Sequence, residues 1–349
     1  MCLGLAAPSM AADKTPDISI TWLSPIEAVD DYPMMIYNQD LNWLNIRTQN
    51  SHMYHVVDLE TGKKIENYGY VGPFSEDLAV VLMEENGNDE NRKWGYIDKA
   101  GEIVFEFSSP YVSNFHNGLA CIVDGITWKC GFIDKTGKIV IPLEYDLAWP
   151  FSDGLAAVGK YDTDGNLKWG YINPTGTVVI PLEYDNGEER SSSFHEELAA
   201  VAKKDANGNQ KWGYIDKTGT VVIPLEYDEV SDFSDGLARV AKNDTDGSPK
   251  WGCIDKTGAV VIPLEYGGTW TFSDDLAAVG KYDTDGNLKW GYIDKTGAVV
   301  IPLEYDEAGS FSDGLARVSQ KDIDRNNKCG YIDKTGKVVV SLEYDQASS

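Results

Sequence analysis

The sequence is poor in histidine and cysteine, poor in base relative to acid, and free of any long apolar run. Each shortage closes a class of function. The four histidines are His52, His55, His116 and His195. A zinc site needs three or four converging ligands, whereas His116 and His195 share one repeated place just after a Phe and read as exposed turn residues. The five cysteines make no disulfide framework. Cys2 lies near the N-terminus, Cys130 and Cys329 stand where other repeats carry Trp, and Cys253 stands where they carry Tyr. They read as buried free thiols in aromatic places. Cys121 and Cys130 fall diagonally across one predicted hairpin, poor geometry for a bridge. Lys and Arg number 30 against 56 Asp and Glu, a formal net charge of -26. That charge repels phosphate and anionic lipid, so neither nucleic acid nor a membrane surface is an expected partner. No run approaches the ~18 apolar residues of a spanning helix, so no membrane insertion is expected. No nucleophile elbow, P-loop, dinucleotide fingerprint or H-E-x-x-H occurs, and no cofactor is expected.

What the sequence has is repetition. KWGYIDKTGAVVIPLEYD at 289–306 recurs at 211–228 with one change. The Trp-Gly pair returns at Trp94, Trp169, Trp212, Trp251 and Trp290, and Cys130-Gly131 and Cys329-Gly330 fill two further places. The commonest spacing is 39 residues, and the interval of 43 from Trp169 to Trp212 reflects four residues added within 186–193. YHVVDLETGKKIENYGY at 54–70 reads as a degraded eighth copy, keeping Asp58, Thr61 and Gly62. The expected organisation is an export-signal remnant at 1–11, an N-terminal segment or cap at 12–39, and a repeat domain of about eight units at 40–349.

Each unit reads as short strands. In 276–306, LAAV is a strand and DTDGN a turn cluster. WGYID alternates Trp290, Tyr292 and Asp294 against Gly291 and Ile293, and DKTG is a turn whose Gly297 can take positive φ. AVVIPL is apolar throughout, so both its faces are expected to be covered, with Pro302 at a strand end or outer edge. In CIVDGITWKCGF at 121–132, Asp124-Gly125 reads as a two-residue hairpin turn, which makes the first two strands antiparallel neighbours. The connector carrying Tyr305, Ala308 and Phe311 must run back along the sheet and pack as an irregular fourth strand. Four short antiparallel strands in about 40 residues is the size of a propeller blade. The expected fold is all-β, a propeller-like tandem repeat of antiparallel meanders. The alternative is an open solenoid of hairpins with successive units flipped. ISITWL at 18–23 is a spare apolar strand that could complete the last sheet.

The recurring K-W-G-Y-I-D-K-T-G, I-P-L-E-Y-D and F-S-D-G-L-A resemble the bacterial WG-repeat (KWG-repeat) proteins over roughly residues 40–345. The resemblance implies a repeat protein, often exported, that binds or scaffolds, and it carries over no catalytic residue. The chain departs from the pattern at Cys130 and Cys329. More loosely, the W-x-Y-x-D-x-x-G hairpins look like cell-wall-binding repeats that hold choline or glycans between aromatics.

Candidate chemistry is sparse. DTDGN at 162–166 and 283–287 invites a calcium reading, but Lys160 and Lys281 occupy places where a calcium loop needs oxygen, so these read as hairpin turns. Carboxylates are plentiful, yet Asp294, Glu304 and Asp306 have copies in most units. A catalytic pair needs distinct environments, so no enzyme is expected. The repeated Trp reads as core. Function is sought where the copies differ. Trp149 and Trp270 replace small residues in one connector column, and Glu188, Glu189 and Arg190 lie in the enlarged loop. A short apolar stretch ending in Ser9-Met10-Ala11 resembles an export cleavage site. The expectation is a non-enzymatic exported surface for protein or cell-envelope contacts. The alternative is a carbohydrate- or cell-wall-binding module built on Trp149 and Trp270.

Overall fold

In the computed structural model the described residues are four strands at 34–38, 43–47, 54–58 and 64–68, and then 70–84, 93–186, 193–323 and 326–345, together with Tyr68. They contain strands and turns and no helix. The strands form eight small antiparallel sheets of three or four strands each. We number the units 1 to 8 by these sheets: 34–68, 70–108, 109–145, 147–184, 185–227, 229–266, 268–305 and 307–344.

The connector does pack as a strand, and it belongs to the unit that follows. In unit 4 the two-residue strand Leu147–Ala148 pairs with Ala156–Tyr161, which pairs with Leu167–Ile172, which pairs with Val178–Tyr184. The turns set this order. At Ser152-Asp153-Gly154-Leu155 the outer two residues exchange hydrogen bonds, and Asp153 and Gly154 have φ of 52° and 86°. That is a two-residue hairpin of the kind whose twist suits strands. At Asp294-Lys295-Thr296-Gly297 the Asp294 carboxylate accepts the amides of Thr296 and Ala298, and Gly297 has a φ of 85°. The D-K-T-G turn is the expected hairpin with a Gly bulge.

The Trp-Gly glycine has a steric cause. A Cβ on Gly213 would lie 2.4 Å from the Ile223 carbonyl oxygen and 2.6 Å from that of Pro224. The edge strand Val221–Tyr227 bulges here: Trp212 pairs with Tyr227 while Tyr214 pairs with Ile223, so two extra residues sit on the edge side. The bulge lays backbone over the glycine. Pro224 sits in this bulged edge strand, at the outer edge its missing donor favours.

Sheets stack through a repeated set of contacts. The Tyr292 ring meets Phe311 of the next unit edge-on at 4.8 Å, and its hydroxyl donates to the Gly309 carbonyl at 2.9 Å. Tyr214 treats Phe233 and Ser231 in the same way. Cores form between neighbouring sheets: one joins Tyr171, Ile180 and Trp169 of unit 4 to Phe194, Val201 and Ile215 of unit 5. Ser152 Oγ donates to the Phe194 carbonyl and Ser273 Oγ to that of Phe311. Like turns of successive units therefore meet at the same end, which rules out an array of flipped units.

Two expectations need correction. The strand read as apolar on both faces is covered on one. In Val178–Tyr184 only Ile180 and Tyr184 are buried, while Val178 and Val179 are exposed because the strand is a sheet edge. The turn at Asp124-Gly125 is longer than two residues. Asp124 pairs with Lys129, leaving Gly125, Ile126, Thr127 and Trp128 in the loop. Its strands are antiparallel as expected, with Cys121 opposite Phe132 and Cys130 opposite Val123. Cys121, Cys130, Cys253 and Cys329 are buried free thiols in the places read for them. Trp169 and Trp212 are core residues, while Trp94, Trp251 and Trp290 are half-buried. The export stretch, Cys2 and ISITWL lie outside the described residues.

Candidate binding surface

The up-and-down strands sort the turns to two ends. The F-S-D-G and D-K-T-G turns share one end, and the D-x-D-G turns share the other with the outgoing L-E-Y-D segments.

At the F-S-D-G end the charges bridge units. Lys135 reaches back to Glu76 at 3.3 Å, Lys256 to Glu196 at 2.8 Å and Lys295 to Asp235 at 3.3 Å. The same acids accept amides of the following unit, as Asp274 does from Gly314 at 2.8 Å. The bond to Lys256 holds the Glu196 carboxyl below its usual range. The series lapses at one step on both sides at once: Asn117 replaces the acid of unit 3 and Pro174 the lysine of unit 4. His195 stands 3.7 Å from Asp232 of the next unit, and His116 takes the matching turn place in unit 3.

At the other end Lys289 binds Asp306 at 2.6 Å, and the second oxygen of Asp306 accepts the Lys321 amide of the next unit at 2.7 Å. Lys281 stands over the Tyr266 ring and 3.1 Å from Glu265. Equivalent sets join units 3 to 4, 4 to 5 and 5 to 6 through Asp146, Asp185 and Asp228; where Gly267 removes the acid, Lys250 turns to Asp244 at 3.4 Å. In the D-T-D-G turns the first carboxylate is used locally: Asp283 accepts the amides of Asp285 and Asn287, which hold its carboxyl below the usual range. Among the described residues no three of His, Cys, Asp and Glu are grouped as a metal would need. Asp146, Asp185, Asp228 and Asp306 keep the same lysine partner from unit to unit.

The sequence-selected residues do not converge. Trp149 is half-buried, packed on the core between units 4 and 5 beside Trp169, with its indole N–H buried and lacking a hydrogen-bond partner. Trp270 is 51% exposed and tilts against Trp290, with centroids 6.5 Å apart. They stand in units 4 and 7, with two sheets between them. Glu188, Glu189 and Arg190 lie outside the described residues; Asn186, where that loop begins, is buried and accepts the Ala202 amide. A cavity of about 380 Å³ between units 4 and 5 is lined by Tyr184, Lys203, Lys204, Lys211 and Val221 among others, and of its lysines Lys203 and Lys211 are committed to Glu183 and Asp228.

Sequence reasoning missed the turn of unit 3. Ile126 is 91% exposed, Trp128 54% and Tyr111 48%. Tyr111 lies on the segment that pairs with Val123, at the foot of the turn. The Asp124 carboxylate fixes the loop, accepting the amides of Ile126 and Thr127 and the Thr127 hydroxyl. Trp128 has a φ of 57°, a left-handed conformation that costs a non-glycine residue energy. The corresponding turns read DTDGN, DANGN and DTDGS in units 4 to 6. The signal in the sequence was I-T-W where its neighbours carry polar residues. Reading Asp124-Gly125 as a complete turn hid it.

Comparison with known proteins gives a family and a fold. A family model described as "WG containing repeat" matches residues 94–125, 131–166, 169–205, 212–245, 251–287, 290–322 and 330–349, more than half of the chain. No curated protein matches. Among solved structures, a crystal structure of the eukaryotic initiation factor aligns over 92% of this chain and 90% of its own, with a TM-score of 0.58 and 13% identity. The likeness is one of fold, a propeller-like succession of small antiparallel sheets. A puromycin hydrolase structure aligns over 80% of this chain and 54% of its own, with a TM-score of 0.34 and 12% identity.

Proposed function

Since the chain belongs to the WG containing repeat family, we propose that it is a non-enzymatic scaffold that binds a protein partner through the D-x-D-G end of unit 3. The observation that carries this is the fixed loop 124–129, which holds Ile126 and Trp128 out of the core beside exposed Tyr111. Exposed apolar groups gathered on one rigid element are what a protein interface buries at its centre. The absence of catalysis in this reading rests on the sharing of carboxylate environments among units. Export, with contact at the cell envelope, belongs to the same proposal and rests on Ser9-Met10-Ala11.

The test is the double variant Ile126→Ser, Trp128→Ser against wild type in cross-linking capture from the cells that make the protein. The variant loses the partner by roughly 30-fold or more, the scale of a hot spot, at an unchanged thermal midpoint. Capture equal to wild type refutes the reading. A second reading, glycan binding, is favoured by the exposure of Trp270 over Trp290. Under it, Trp270→Ala abolishes sedimentation with peptidoglycan and the unit 3 variant leaves it intact.

A further inference from the structure

We propose that the edge strand Ile103–Ser108 of unit 2 is a docking site for an extended, positively charged segment of a partner protein, which pairs with it as an added β-strand. From unit 2 onward each sheet leaves one side of its last long strand without a strand partner among the described residues. Such an edge offers alternate N–H and C=O groups to any extended chain. Units 3 to 7 blunt it twice. Pro142, Pro181, Pro224, Pro263 and Pro302 stand within these strands and supply no donor. The two-residue bulge also breaks the line of the edge in each of them, as where Trp290 pairs with Tyr305 but Tyr292 with Ile301. Unit 8 has Ser341 in the proline's place and keeps the bulge, Cys329 pairing with Tyr344 and Tyr331 with Val340.

Unit 2 lacks both the proline and the two-residue bulge, and keeps only a single-residue shift at Val104, where Tyr96 pairs with Phe105 but Ile97 with Ile103. Its pairs run unbroken from Lys93 with Ser108 to Tyr96 with Phe105. The glycine beneath reports the same straightness: a Cβ on Gly95 would stand 3.2 Å from the Phe105 carbonyl oxygen, against 2.4 Å for Gly213 and Ile223. Ile103 and Val104 are exposed.

The strand also selects its occupant. Phe105 and Phe107 pack on the core and Glu106 between them faces the other way, while the shift at Val104 places Ile103, opposite Ile97, on the Glu106 face. Glu102 and Glu106 are exposed, and no base lies within 102–108. Lys93 meets Glu106 at 2.7 Å from the neighbouring strand. An added strand fits when it brings basic residues to these carboxylates and apolar ones to Ile103 and Val104. A second copy fits poorly, since it brings carboxylate to carboxylate and joins two chains of net charge -26.

The probe is a capped octapeptide of alternating Lys and Val, with a Glu-Val octapeptide as its opposite, read by hydrogen exchange of the full-length protein. The Lys-Val peptide slows exchange across 103–108 by about tenfold and leaves 178–184 and 221–227 unchanged. Glu106→Pro, which brings a proline into this edge, abolishes the protection. Should that variant fold poorly, Glu106→Lys keeps the backbone donors and shifts protection from the Lys-Val to the Glu-Val peptide. The proposal is overturned if the Lys-Val peptide gives no protection, if it protects the proline-bearing edges equally, or if the Glu-Val peptide protects as well. Protection that rises with protein concentration without peptide makes the occupant a second copy, and overturns it too.

Discussion

At the residue scale the glycine of the Trp-Gly pair is held by sterics, not by conformation. It is absent from the positive-φ glycines, which are turn residues such as Gly219 and Gly297. Carbonyl oxygens at 2.4 and 2.6 Å from a Cβ on Gly213 are backbone and cannot swing away. Gly213→Ala is expected to cost about 3 kcal/mol or more, read as a fall in the urea midpoint. Gly95→Ala, where the nearest contacts are 3.2 Å, is expected to cost about 1 kcal/mol. Equal losses refute the steric account. The repeat of Trp-Gly was plain in the sequence, but its cause was not, because the atoms that exclude a Cβ lie some ten residues later, across a bulge that no periodicity announces. The paired change to Asn117 and Pro174 shows the same limit. Each looks like an isolated irregularity until the turns of units 3 and 4 are set side by side.

At the element scale the turns and connectors are held by carboxylates, and this sets the response to acid. Burial raises the Asp306 carboxyl, but the Lys289 ammonium and the Lys321 amide together outweigh it and hold the group below its usual value. Asp228 and Asp146 are balanced in the same way. A carboxyl whose folded value lies below its unfolded one stabilises fully above the unfolded value and loses that contribution as pH falls through the folded one. The thermal midpoint is therefore expected to be flat above about pH 5 and to fall by roughly 10 °C by pH 3, with Asp306→Asn removing part of the slope. A midpoint indifferent to pH in that window contradicts the role assigned to these acids. Strand order, both recurrent turns and the edge place of Pro302 were legible, since each follows from local chemistry. The covering of Val299 and Val300 was not. Apolar sequence reports the wish for burial, and whether a further strand arrives to cover it is decided by the sheet.

At the scale of the whole molecule, one interface is used again and again. Tyr on Phe, hydroxyl on carbonyl and Ser on the Phe carbonyl recur at several of the steps between units, with Phe132 and Cys253 taking the Tyr place in units 3 and 6. One contact set fixes one relative rotation. A fixed rotation repeated from unit 2 onward curves the array, because head-to-tail contacts that do not flip cannot cancel their turn. The fold likeness over 92% of the chain agrees with a curved, propeller-like course. Eight sheets stacked straight at about 10 Å would reach ~80 Å. A compact chain of 349 residues has a radius of gyration of about 20 Å. Small-angle scattering is expected to give a radius near that value and a maximum dimension well below the straight stack. Because apolar cores and main-chain hydrogen bonds set the rotation, with the ion pairs only lining its two ends, the same profile is expected at low and at high salt. A rod-like profile, or one that lengthens as salt screens the lysine–carboxylate pairs, would mean that charge and not packing fixes the angle between units.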